Sequence, residues 1–245
     1  MSAPRIAILL PPSEGKADGG RRRPWDPSSG AFGPALATQR AAVAEALVAA
    51  GGGDEKLLDA RGPLLERARA ANITLLGAPS MRAGARYTGV VWEAMSLGTA
   101  PEPVRRRAST SVAVVSALHG LVGLDDPIPD YRLKMGASLP PLGKLSTWWR
   151  GPLSGVIAEW TKGRFVVDLL TNDLRAAWDP PSRGRGVRVQ FVERGASRAG
   201  GVVGHDAKAA KGRLARHLLE STVDPHDALE AWDDARFALV LTPLS

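Results

Sequence analysis

The chain has 245 residues, of which 44% are apolar and 23% are charged, and these ordinary globular values exclude a wholly disordered protein. Cysteine is absent, which excludes a disulfide framework, a thiolate metal site and a cysteine nucleophile. No apolar run approaches the roughly 20 residues that a membrane span needs, and the apolar stretch at the start is too short for a secretory signal. We therefore expect a cytoplasmic protein that has no membrane partner.

Positive charge is concentrated in one part of the sequence. The formal net charge is +7, and between Arg183 and His217 nine basic residues stand against two acidic ones. A local excess of that size attracts phosphate groups, whether they belong to a nucleic acid or to a small metabolite. A solvated basic surface is the alternative interpretation, and composition alone favours neither.

The first half of the chain predicts two strands and several helices. A short, continuous apolar run is typical of a strand buried on both faces, and glycine or proline marks the ends of helices. We predict a strand over residues 5–10, a helix over 38–50 that stops at the glycines 51–53, one or two short helices over 57–71 around Pro63, helical stretches within 79–95 on either side of residues 82–89, a second strand over 111–118 and a loop over 119–127.

The second half continues the alternation. We predict a helix over residues 146–160, a third buried strand over 165–170 that ends in the helix-capping run Thr171-Asn172-Asp173, a fourth strand over 187–192, a helix from an Asp206 N-cap to residue 221, and a last strand over 237–241. Interleaved strands and helices indicate an α/β or mixed α+β fold, with a mixed β-sheet core flanked by helices. With no internal repeat and no convincing linker, we expect one compact domain over residues 1–245.

The standard catalytic signatures are absent from the sequence. There is no nucleophile elbow, zinc-protease helix or dinucleotide fingerprint, and the four histidines are scattered, so we predict neither a metal nor a cofactor. Ser13-Glu14-Gly15-Lys16 follows a strand as a phosphate loop does, but Ala17 stands where a P-loop needs Ser or Thr. Lys16 is therefore a candidate anion ligand outside any Walker motif, and a merely solvated turn is the alternative.

Three further clusters combine cations with aromatic faces, which suit phosphates and stacked bases. The alternative for each is a pair of buried tyrosines with bonded hydroxyls, or surface ion pairs. The clusters are Arg86-Tyr87-Thr88-Gly89, Tyr131-Arg132-Leu133-Lys134-Met135-Gly136, and Lys208 with Lys211 one helical turn apart.

Taken in order, these segments carry a resemblance to a known family. Leu9 to Lys16 match a strand followed by Pro-Pro-Ser-x-x-Lys, and the Arg86 cluster comes next. Residues 116–136 are similar to the block S-x-L-Y-G-x-L-x-P-x-D-x-I-x-x-Y-R-L-x-M-G, and residues 208–213 complete the order. On these motifs the chain resembles the YaaA family of peroxide stress proteins over most of its length.

The resemblance implies a single α/β domain of unusual topology with a positively charged cleft. It also implies a role in limiting free iron and oxidative damage under peroxide stress, DNA binding, and a helix-hairpin-helix-like element, for which residues 118–124 are the nearest match. The sequence departs from the family at two aromatic positions, where His119 and Leu174 replace tyrosines. We therefore expect no tyrosine stacking at those two positions.

Two function hypotheses follow. The first is a stress protein whose partner is double-stranded DNA or a phosphorylated small molecule, bound by Ser13, Lys16, Arg86, Tyr87, Tyr131, Arg132, Lys134, Asn172, Lys208, Lys211 and Arg213. The second is an enzyme acting on a small anionic or nucleotide-like substrate in the same cleft, with catalytic candidates Lys16, His119, Tyr131, Arg132 and Asp173. An enclosed pocket with perturbed pKa values favours the second hypothesis, and a long open groove favours DNA.

Direct iron binding is a third hypothesis, and it is the weakest of the three. Iron sites need clustered histidine and carboxylate ligands, and Asp125-Asp126 beside His119 is the nearest trio in the sequence. Asp-Asp-Pro is more often a turn.

Overall fold

A six-stranded mixed sheet forms the core of the computed structural model among the residues that the structure describes, 5–21, 23–181, 185–195 and 204–244. The strand order is β10-β9-β8-β1-β3-β4, and two-residue strands form two separate ladders, β2 with β5 and β6 with β7. The strands are β1 Ile6–Leu10, β2 Met81–Arg82, β3 Val112–Ser116, β4 Gly120–Gly123, β5 Pro127–Ile128, β6 Ser138–Leu139, β7 Gly143–Lys144, β8 Phe165–Asp168, β9 Gly186–Glu193 and β10 Phe237–Pro243.

Four parallel strands lie at the centre of the sheet. β1 pairs in parallel with β3 on one side and with β8 on the other, and β9 continues the parallel set beyond β8. The edge strands β4 and β10 are antiparallel to their neighbours. β1 and β3 are buried along their whole length, as their unbroken apolar sequences predict. The predicted mixed α/β fold is confirmed.

Helices occur in both halves of the sequence. Pro34 and Pro63 occupy the first turns of α1 and α3, where a missing N–H costs nothing. The helices are α1 Gly33–Ala49, α2 Glu55–Leu58, α3 Gly62–Ile73, α4 Ala83–Arg86, α5 Val90–Met95, α6 Glu102–Ser111, α7 Leu145–Trp160, α8 Asn172–Arg175, α9 His205–Glu220 and α10 Pro225–Glu230.

Helix α9 follows the predicted stripe but starts differently. Ala207, Ala210, Leu214 and Leu218 are all buried, as predicted. The predicted N-cap was wrong, because Gly204 occupies the N-cap position and Asp206 lies in the first turn. Asp206 pairs there with Arg236, the residue before β10.

The prediction of a loop in the glycine-rich segment after β3 was wrong. It forms the β3–β4 hairpin, in which Ser116 pairs with Gly120 and Val114 with Val122. A strand on each side of the turn, rather than a helix on each side, means that residues 118–124 do not form a helix-hairpin-helix element. Gly120 has φ +68, and a Cβ there would lie 2.6 Å from the Trp149 ring, so this glycine allows the tight turn against α7.

Other local predictions need smaller corrections. The first helix begins at Gly33 rather than Thr38, because Pro34 opens it one turn earlier. Residues 83–86, expected to separate helical stretches, form the short helix α4. The turn predicted at Asp125-Asp126 is present, since the Asp126 carboxylate accepts from the Gly123 N–H at 2.9 Å. Within the described ranges, no helix is both long enough and apolar enough to cross a membrane.

Candidate functional site

A cleft of about 470 Å³ opens at the carboxyl ends of three adjacent parallel strands. Its walls come from the segment after β1, from Ala117 after β3, from the segment after β8, from α5, from residues 131–135 and from α9. The two sheet neighbours of β1, β3 and β8, lie on its opposite sides and both follow it in the chain, so the direction of the strand order reverses at β1. Open parallel sheets bind ligands at such reversal points. We call this cleft the lysine cleft, after Lys16, Lys208 and Lys211, which line it.

The segment after β1 is fixed in place by the backbone of residues 86–88. Pro11 and Pro12 lack N–H groups and cannot continue the ladder, so the chain leaves the sheet there. Lys16 then forms a bridge with Tyr87, the Ala17 N–H donates to the Arg86 carbonyl at 2.8 Å, and the Thr88 N–H donates to the Gly15 carbonyl at 3.1 Å. The first two sequence clusters are therefore joined directly.

Lys16 lies against two aromatic rings. Its Nζ is 4.1 Å from the centroid of the Tyr131 ring and 5.8 Å from that of Tyr87, and it donates to the Ser13 carbonyl at 3.0 Å. Burial lowers the pKa of Lys16 to about 7. The carboxylate of Asp130 opposes that shift of the pKa and the guanidinium of Arg132 adds to it.

A chain of buried hydroxyls lies beneath the amine. The Tyr87 and Tyr131 hydroxyls are 2.8 Å apart, and Tyr131 is also 2.8 Å from the Ser116 Oγ, which is 3.3 Å from His119 Nδ1. Burial raises the pKa of Tyr131 to about 12 and that of Tyr87 well above its ordinary value, and it lowers the pKa of His119 well below its ordinary value. All three side chains are therefore uncharged at neutral pH.

Helix α9 brings two lysines to the cleft. Lys208 is exposed and Lys211 is partly buried. Burial lowers the pKa of Lys211 to about 8, with Asp168 opposing the shift and Arg175 adding to it. The Asp168 carboxylate is already hydrogen-bonded to other groups, since it accepts from Arg175 Nε at 2.6 Å and from the Leu170 N–H at 2.8 Å.

Lys16, Lys208 and Lys211 share one feature that the other cations of the cleft lack. In the described part of the chain, no carboxylate oxygen lies within 4.0 Å of any of their amines. Arg132, by contrast, contacts Glu14 at 2.8 Å, and Lys134 forms an ion pair with Asp59. The sequence pattern alone does not separate the paired cations from the unpaired ones.

Arg132 is held mainly by backbone groups. Its Nε donates to the Leu58 carbonyl at 2.8 Å, and its Nη2 donates to the Asp59 carbonyl at 3.0 Å. Asn72 fixes the same residue through both its backbone groups, accepting from the Arg132 N–H and donating to the Arg132 carbonyl. These partners lie about 60 to 75 residues away in sequence, and sequence reasoning missed them.

The structure brings only some of the predicted site residues to the cleft. Arg86, Tyr87 and His119 are buried outside its lining, and neither Tyr87 nor Tyr131, each 3% exposed, presents a ring for stacking on bases. The predicted residues that line it are Ser13, Lys16, Tyr131, Arg132, Lys134, Asp173, Lys208 and Lys211.

The remaining predicted residues are engaged elsewhere. Arg86 donates to the Ala17 carbonyl at 2.6 Å, and Asn172 accepts from Arg175 and from Arg188, each at 3.2 Å. Arg213 pairs with Asp234, its Nε 3.0 Å from the carboxylate. Of the predicted basic stretch, Arg183 and Arg198 lie outside the described residues.

One buried cation that sequence reasoning missed supports the β3–β4 turn. Arg40 is fully buried, and its guanidinium donates to the carbonyls of His119 and Leu121, each at 2.8 Å, and to those of Pro27 and Ser29. Burial lowers the pKa of Arg40 to about 10, which leaves it charged at neutral pH. The signal was present, since Arg40 falls on the same α1 stripe as the buried residues Leu36, Val43 and Leu47.

The trio considered for iron does not assemble as a site. Asp126 accepts from the backbone of Gly123 and Ala31, Asp125 faces Arg82, and His119 is directed to Ser116. Among the described residues, the cluster with metal-ligand spacing is His226, Asp227 and Glu230, which are all exposed on α10.

The fold and the site define a mixed α/β protein with a lysine-lined cleft at the carboxyl ends of its central strands. Residues 6–241 match the family model described as peroxide stress protein YaaA. The chain is 37% identical over 230 residues to a UPF0246 protein of Streptomyces coelicolor, covering 92% of this chain and 87% of that relative. It is 34% identical over 241 residues to one of Corynebacterium glutamicum, covering 95% and 93%. The chain belongs to the YaaA family of peroxide stress proteins.

Proposed function

We propose that this protein binds a phosphate-bearing small molecule in the lysine cleft, in the cytoplasm, as its part in the peroxide stress response of its family. The observation that carries the proposal is the pair Lys16 and Lys211, whose amines are partly buried without a carboxylate within 4.0 Å in the described chain. Holding such cations away from water costs stability, and a bound anion offsets that cost. The cleft volume of about 470 Å³ is in the range of small-molecule sites.

The position of the cleft supports the same proposal. It lies beyond the ends of β1, β3 and β8, where the segments after β1 and β8 contribute Ser13, Lys16 and Asp173 to a common wall. Lys208 stands exposed beside Lys211 and adds a second cation on α9. With Glu14 already paired to Arg132, positive charge predominates in the cleft.

Duplex DNA is the second candidate partner. The exposure of Lys208 and the basic excess of the neighbouring sequence favour it. Burial of the Tyr87 and Tyr131 rings favours the small molecule, because base stacking needs an accessible face.

Binding of inorganic pyrophosphate, followed by calorimetry at pH 6.5, tests the proposal. We expect the double variant Lys208→Gln/Lys211→Gln to bind at least about tenfold more weakly than wild type, since charge-assisted contacts to phosphate contribute about 1.5–3 kcal/mol each. The matched control Lys56→Gln/Lys162→Gln removes the same charge from two exposed positions and is expected to bind like wild type. Equal loss in both double variants would overturn the placement of the site.

The same proteins titrated with a labelled duplex at two salt concentrations test the DNA candidate. Micromolar binding with a steep salt slope that weakens in the cleft variant would favour DNA. A protein that binds pyrophosphate but does not bind the duplex at low salt would exclude DNA as the partner.

A further inference from the structure

Lys16 differs from the other lysines of the chain in its surroundings. Its amine rests on the face of the Tyr131 ring, with its hydrogen bond to the Ser13 carbonyl and the Tyr87 ring behind it. It lines the lysine cleft, so a ligand there reaches it. An exposed lysine such as Lys56 has none of these contacts within the described residues.

Burial of the amine in the wall of the cleft leaves much of Lys16 unprotonated. With its pKa lowered to about 7 by burial, about half of the amine is neutral at pH 7, against roughly one in 2,500 for an unperturbed lysine. The charged groups that face it are Asp130 and Glu14, which raise its pKa, and Arg132 and Arg86, which lower it. A neutral lysine amine is a nucleophile, and its usual partner is a carbonyl carbon.

We propose that Lys16 forms an imine with the aldehyde or ketone group of a phosphate-bearing substrate, an inference that rests on the proposed function. The Nζ lone pair attacks the carbonyl carbon, and a proton passes from nitrogen to the carbonyl oxygen to give a carbinolamine. The second N–H proton then passes to the hydroxyl oxygen, the carbon–oxygen bond breaks, water leaves and the carbon–nitrogen double bond forms. The step needs no oxidant or reductant.

The other groups of the cleft suit this step. Lys211 and Lys208 are placed on α9 to hold the phosphate group, and Lys211 is itself flanked by Asp168 and Arg175. Asp173 lines the same cleft and has no ion-pair partner among the described residues, so its carboxylate is available to carry the proton that the departing water requires.

Pyridoxal 5′-phosphate is the probe that tests the inference, because it carries an aldehyde and a phosphate on one small molecule. The protein is treated with the probe at pH 7, reduced with borohydride and digested, and each of its seven lysines is quantified by mass spectrometry. We expect Lys16 to be labelled at least about tenfold faster than the exposed lysines Lys56 and Lys162. Labelling of Lys16 no faster than these two would overturn the inference.

Two variants separate the reacting amine from the anion site. Lys16→Arg keeps the positive charge but cannot form an imine, so we expect its adduct to vanish while the other lysines label as before. Lys211→Gln is expected to slow labelling of Lys16 by the phosphate-bearing probe at least about fivefold, and to leave labelling by pyridoxal, which lacks the phosphate, unchanged. Circular dichroism of both variants checks that they fold.

The outcomes distinguish the two proposals. Binding of pyrophosphate without selective labelling of Lys16 would retain the anion site and reject the imine. Selective labelling of Lys16 that Lys211→Gln changes by the same factor with pyridoxal and with its phosphate would retain the reactive amine and reject the phosphate site. A labelling rate that rises between pH 6 and 7.5 and then falls, as Lys16 and then Lys211 lose protons, supports both.

Discussion

At the scale of single residues, Lys16 is a partly buried cation that destabilises the folded protein by an amount that depends on pH. Its pKa falls from about 10.5 to about 7 on folding, so the unfolded chain binds more protons between those two values, and stability rises with pH across that window. Removing the amine therefore raises the free energy of unfolding most at low pH. We expect the free energy of unfolding of Lys16→Met, relative to wild type, to be highest below pH 7 and to decline steadily towards pH 10.

Urea unfolding at four pH values between 6 and 10 measures this difference. The control is Lys162→Met, an exposed lysine, for which the difference from wild type is expected to stay constant with pH. A Lys16→Met difference that is equally flat would mean that Lys16 titrates like a surface lysine, and would remove the physical basis of its nucleophilic role.

At the scale of elements, the contact between α9 and α5 depends on one glycine. A Cβ on Gly212 would lie 2.2 Å from the Val91 carbonyl oxygen and 2.9 Å from Ala94 Cβ, so only a glycine lets α9 approach this closely and hold Lys208 and Lys211 at the cleft. We expect Gly212→Ala to lower stability by about 1–3 kcal/mol, the usual cost of overpacking, and to weaken pyrophosphate binding.

A second helical glycine supplies the control, and its expected change has the opposite sign. In α7, a Cβ added at Gly155 would meet no heavy atom within 4 Å beyond its chain neighbours and the adjacent helix backbone. Gly155→Ala is therefore expected to raise stability by about 0.5–1 kcal/mol, as alanine does in an open helix. Thermal unfolding of both variants decides the matter, and stabilisation by Gly212→Ala would show that α9 does not pack as described.

The elements that the sequence predicted well are those whose burial leaves a local pattern. Strands β1, β3 and β8 show as mainly apolar runs because both faces of the central sheet are buried. β4 was missed because its two glycines are read as a turn, although the strand is defined by pairing with β3. The two-residue strands β2 and β5 to β7 are too short for any periodic signal.

At the scale of the whole molecule, the candidate site depends on strand order, which no local pattern contains. Lys16 and Arg132 could be chosen from the sequence as cations near turns, and Lys211 as a cation on a predicted helix. That the segments after β1 and β8 meet follows from Leu9 pairing with Asp168, a contact across about 160 residues. Which cations are already neutralised, as Lys134 is by Asp59, likewise depends on distant partners and could not be predicted.

Anion binding should be visible in the stability of the whole fold. A ligand that binds only the folded protein raises its stability by RT ln(1 + [L]/Kd), about 2.7 kcal/mol at a hundredfold excess over Kd. Sulfate keeps a constant charge between pH 6 and 9, whereas Lys16 and Lys211, with pKa values of about 7 and about 8, lose their protons there. We therefore expect the rise in Tm caused by sulfate to be largest at pH 6 and to shrink towards pH 9. The rise should be smaller in Lys211→Gln than in Lys162→Gln, which removes the same charge from an exposed site, and a rise equal in both variants and constant with pH would place the anion elsewhere.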